Sequence, residues 1–70
     1  MTIEEAEREA IRRYPALGVA GTPFNTAFLA RKKLYEQEHA IFLEHPDWPL
    51  RLADEVNNRM QELHISTGKP

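Results

Sequence analysis

The stretch Thr22–Glu44, TPFNTAFLARKKLYEQEHAIFLE, constrains the fold of this chain more than any other. Thr22 suits an N-cap, and Pro23 suits the first helical position, where its missing N–H is harmless and its φ already fits a helix. From there Phe24, Ala27, Phe28, Leu34, Tyr35, Ile41 and Phe42 recur at the spacings of one helical face. His45-Pro46 closes the stretch, because the residue before a proline is pushed out of the α region. A continuous helix from Pro23 to Glu44 is about 33 Å long, the diameter of a small domain. The flanking segments are therefore expected to fold down upon it.

Those segments read as helices too. Thr2-Ile3-Glu4-Glu5 matches a capping box, with a glutamate three residues beyond the capping threonine. Ile3, Ala6, Ala10, Ile11 and Tyr14 then form an apolar stripe, Glu4–Arg8 and Glu9–Arg13 are i,i+4 pairs, and Pro15 stops the helix. The connector Pro15–Gly21 has no helical period; Gly18 and Gly21 permit positive φ, and Leu17 or Val19 is expected to plug one end of the core. After the corner His45-Pro46-Asp47-Trp48-Pro49, a third apolar stripe runs through Leu52, Ala53, Val56, Met60 and Leu63, flanked by an Arg51–Glu55–Arg59 charge ladder. Trp48 reads as a lid on the core and Asp47 as a cap. The fold class expected is all-α: a small three-helix bundle with helices at about 3–14, 23–44 and 49–64, up-down-up, organised on the long central helix. Residues 1–65 form a single helical domain, and 66–70 read as a flexible tail.

Size makes such a bundle marginal. A chain of 70 residues rarely draws more than about 3–5 kcal/mol from one core. There is no cysteine, so disulfides and thiolate zinc sites are excluded. Good helix packing or a partner chain is left to supply the stability, and a homodimer is one expectation. The formal net charge of −2 argues against a dedicated nucleic-acid binder. The acidic start, MTIEEAEREA, does not resemble a signal peptide, and no apolar run reaches the roughly 18 residues that cross a membrane. The cytoplasm is the expected compartment.

No motif in the sequence carries a named chemistry. The histidines His39, His45 and His64 lack metal-ligand spacing, the carboxylates are spread over solvent faces, and the hydroxyls are few. Three helices filling their own core are expected to leave no cleft of the usual 300 Å³ or more. No enzyme, cofactor or metal is expected. What remains is protein–protein contact, as a homodimer or as an accessory or inhibitory subunit of a larger protein. Arg31 and Glu38, which interrupt the long stripe, would face each other across an antiparallel two-fold. A second row, Leu29, Ala40 and Leu43, lies on the opposite side of the same helix. The partner-binding candidates are Leu29, Arg31, Leu34, Tyr35, Glu38, Leu43 and Trp48. The alternative is a small DNA-binding regulator using the basic residues Arg12, Arg13, Arg31, Lys32 and Lys33.

Overall fold

The structure, a computed structural model, describes the backbone of residues 1–67 and the side chains of residues 1–62. Three α-helices, α1 (Ile3–Arg13), α2 (Pro23–Glu38) and α3 (Trp48–Thr67), are joined by 3-10 turns at Pro15–Gly18 and Ala40–Glu44. Among the described residues there is no strand. The chain is an all-α three-helix bundle.

Both N-terminal caps form as their residue types dictate. The Thr2 hydroxyl accepts from the Glu5 N–H, and the Glu5 carboxylate accepts from the Thr2 N–H at 2.8 Å. The Thr22 hydroxyl accepts from the Asn25 N–H, with Pro23 first in α2. At the start of α3 it is the Asp47 carbonyl that takes the Leu50 and Arg51 N–H groups, while the Asp47 carboxylate goes to the Arg51 guanidinium at 2.8 Å. Gly21 adopts φ +85°, the left-handed region that glycine enters without strain, just before the cap of α2.

The long rod is not one rod. The α-helix stops at Glu38, His39 takes φ −144° and ψ 54°, and Ala40–Glu44 continues as a 3-10 turn. No glycine or proline sits at the break, so local preference does not cause it. Packing does. In a straight helix Tyr35 and Phe42 would lie two turns, or roughly 10 Å, apart; the break folds Phe42 back until the two rings stack at 4.5 Å. The chain then returns so that α3 begins in the middle of α2, with Trp48 stacked on Phe28 at 6.3 Å and Lys32 over its indole at 5.7 Å. Ile41, which a straight helix would have placed on the inner stripe, is 73% exposed.

The organising element is consequently α3. Its length is about 30 Å at the usual rise, and α1 and α2 each pack on it rather than on each other. Leu52, Ala53 and Val56 of α3 meet Ala10 of α1 and Phe24 and Phe28 of α2 in one buried cluster, with Ala6 and Pro49 also buried. The small side chains of Ala6, Ala10 and Ala53 allow the backbones of α1 and α3 to come close. Ile3 and Ile11, expected on the inner stripe of α1, point outward and are exposed. Leu17 packs against the core as a plug, whereas Val19 is exposed. The third helix starts one residue earlier than expected and runs through Thr67, so Ser66 and Thr67 belong to it; the rest of the expected tail, 68–70, and the inward placing of Leu63 lie outside the described residues.

Leu52 belongs to the buried cluster to which all three helices contribute, and it is fully buried. Leu52→Ala is expected to cost about 3 kcal/mol, most of the stability a core of this size provides. Urea unfolding followed by circular dichroism should show a transition shifted close to zero denaturant, with little native baseline left.

Candidate functional site

Two neighbours on α3, Asp54 and Glu55, fix the other two helices. The Tyr14 hydroxyl, at the end of α1, donates to the Asp54 carboxylate at 2.6 Å, and Arg13 approaches the same carboxylate at 3.5 Å. The Tyr35 hydroxyl of α2 donates to Glu55 at 2.5 Å, and the Arg31 guanidinium donates to Glu55 at 2.9 Å. Arg59 lies beside Glu55 at 3.4 Å. Each ring is anchored on both sides: Tyr14 stacks on Phe24 at 5.1 Å, as Tyr35 does on Phe42. Burial pushes the Glu55 carboxyl upward, but the Tyr35 hydroxyl and the Arg31 guanidinium outweigh that and hold it below the usual carboxylate range. The hydrogen bond to a carboxylate raises both tyrosine hydroxyls above 10, since losing the proton would oppose two negative charges.

The sequence candidates are distributed over the fold as follows. Arg31 pairs with Glu55 within its own chain at 2.9 Å. Glu38 is exposed. Leu34 and Leu43 are half-buried. The Arg51–Glu55–Arg59 ladder is broken, because Arg51 pairs with Asp47 instead. The basic residues do not gather: Arg12 and Arg13 both grip Glu9, Arg31 grips Glu55, and Lys32 reaches Glu36 at 3.5 Å. Lys33 is exposed and in no ion pair among the described residues. Among the described residues no three His, Asp or Glu side chains are grouped to hold a metal ion.

Two concave surfaces remain. One is a broad, open depression of about 760 Å³ around Tyr35, Glu38, His39, Ile41, Phe42 and His45. It exists only because α2 breaks at His39, which is why a reading based on a straight helix left no room for it. The other is a narrower groove of about 180 Å³ between α1 and α2. Glu7, Ala10 and Ile11 form one wall, Asn25 and Leu29 the other, Phe28, Trp48 and Pro49 the floor, and Leu17 closes one end. The groove lies where α1 and α2, each packed mainly on α3, stand side by side. Asn25 is held in its wall by donating to the Leu17 carbonyl at 2.9 Å. Ile11 and Leu29 both line the groove and are 43% and 53% exposed. Of the sequence candidates, Leu29 and Trp48 belong to this groove, and Tyr35 and Glu38 belong to the depression.

No family model, curated protein or solved structure matches this chain.

Two outcomes test the carboxylate anchors. Tyr35→Phe should cost about 1 kcal/mol, a hydrogen bond to a charged acceptor discounted for its partial exposure, and in the Glu55→Gln background the same change should cost distinctly less. Lowered carboxyls stabilise the fold above their unfolded value and lose that contribution as pH falls through the folded value. Glu55 is lowered, and Arg12 and Arg13 hold Glu9 at about 2. The thermal midpoint should therefore fall as pH drops below the ordinary 4.5 of a glutamate toward about 2, less steeply in Glu55→Gln. A midpoint flat across that window would contradict the anchoring.

Proposed function

We propose that this chain is a non-catalytic protein-binding module that receives a helical partner in the groove between α1 and α2. The open groove itself carries the reading: two helices form its walls, a third supplies an apolar floor, and isoleucine and leucine rim its mouth. A volume of about 180 Å³ accepts one large apolar side chain, being slightly more than a cavity known to hold benzene. Helix-in-groove recognition depends on such an anchor, and tryptophan in the floor is a frequent hot-spot residue. The lining itself is mostly apolar, with Glu7 its one ionisable group among the described residues, and Lys32 lies beside it over Trp48. The non-catalytic part of the reading is supported by the fact that the perturbed carboxyls, Glu5, Glu9, Asp47 and Glu55, are each engaged by a threonine, arginine or tyrosine that serves the fold.

The test is selection of displayed amphipathic helices against the protein at low concentration. Binders should shift the emission of Trp48, the single tryptophan, and should weaken by about tenfold or more against Leu29→Glu, a change of roughly 1.4 kcal/mol. Helices that bind that variant as well as the parent would place binding elsewhere and sink the reading.

A further inference from the structure

The groove reading leaves its occupant open, and on that reading we propose that the occupant is a second copy of this chain, related by a two-fold axis running along the groove. Such an axis exchanges the walls, so that α1 of each copy lies over α2 of the other. The charges on the two walls suit that exchange. Glu4 and Glu7 lie on the face of α1 that carries Ile11, and neither is in an ion pair among the described residues; Arg8, one turn after Glu4, shares that face. Lys32 and Lys33 follow Leu29 on α2, and Glu36 engages only Lys32. Exchange sets the α1 face of each copy, net −1 from Glu4, Glu7 and Arg8, against the α2 face of the other, net +1 from Lys32, Lys33 and Glu36. Pairing like walls, α1 on α1, would set Glu4 and Glu7 against their own kind.

Apolar geometry agrees with the charges. Ile11 and Leu29 rim the same groove, so two facing grooves bring both residues from both copies into one interior layer. The result is a four-helix arrangement built from two α1/α2 pairs, each backed by its own α3. Without cysteine, association is one of the few means by which so short a chain can bury more apolar surface.

Sedimentation equilibrium from low to high micromolar concentration tests the proposal. The mass should rise from 8.1 kDa toward twice that value. Leu29→Glu should hold it at the monomer value, and the circular dichroism spectrum should be unchanged because Leu29 is exposed. Glu7→Lys makes both walls basic and Lys33→Glu makes both acidic, so each alone should weaken association by about tenfold, as like charges do across an interface. An equimolar mixture of the two should associate again as a mixed dimer. A monomer at the highest concentration overturns the inference while leaving the groove reading to the displayed-helix selection. A dimer indifferent to Leu29→Glu, or a mixture no tighter than its parts, overturns it as well.

Discussion

Leu52 and the alanines around it hold this bundle together. Close approach of α1 to α3 depends on Ala6, Ala10 and Ala53, whose methyl groups leave little between the two backbones. That economy limits the area buried, and the fold compensates at the edges of the core with aromatic rings. Tyr14, Tyr35, Phe42 and Trp48 are half-buried, each placing a large apolar face on the core. The two tyrosines also direct their hydroxyls to carboxylates on α3. A side chain with an apolar body and a polar tip suits the margin of a small core, where full burial is not available.

What the sequence made legible follows from signals confined to a few residues. The capping box at Thr2, the Thr22–Pro23 start of α2 and the left-handed glycine at 21 depend on local chemistry, and each formed. Pro15 bounded α1, and the proline-rich corner the start of α3, for the same reason. The break at His39 was not legible, because nothing near it disfavours a helix; its cause is the later return of Phe42 and Trp48 onto α2. The faces of α1 were misjudged in a related way. Isoleucine outranks alanine in hydrophobicity, so Ile3 and Ile11 read as core, yet a close helix–helix contact selects the smaller residue and turns the larger ones out.

The groove was partly visible beforehand. Leu29 stood out as an apolar residue on the wrong side of its helix, and Trp48 as an aromatic in a rigid corner; both line it. Ile11 escaped notice because it had been assigned inward. Asp54 and Glu55 escaped because an acid on an amphipathic helix ordinarily faces solvent. The available signal was Glu55's position between Leu52, Val56 and Arg59, at the edge of the inner stripe. Which tyrosine would reach it depends on how α2 crosses α3, and that is a property of the assembled fold.

The adjacency of Asp54 and Glu55 has a mechanical consequence. Successive residues on a helix project roughly 100° apart, so the bonds from Tyr14 and Tyr35 pull on α3 from two directions around its axis. A twist of α3 toward one tyrosine withdraws the neighbouring carboxylate from the other. Together they act as opposed stays, setting the azimuth of α3 where small apolar contacts alone would leave it loosely determined. The spacing of the α1 and α2 walls, and with it the width of the groove between them, is inherited from that setting.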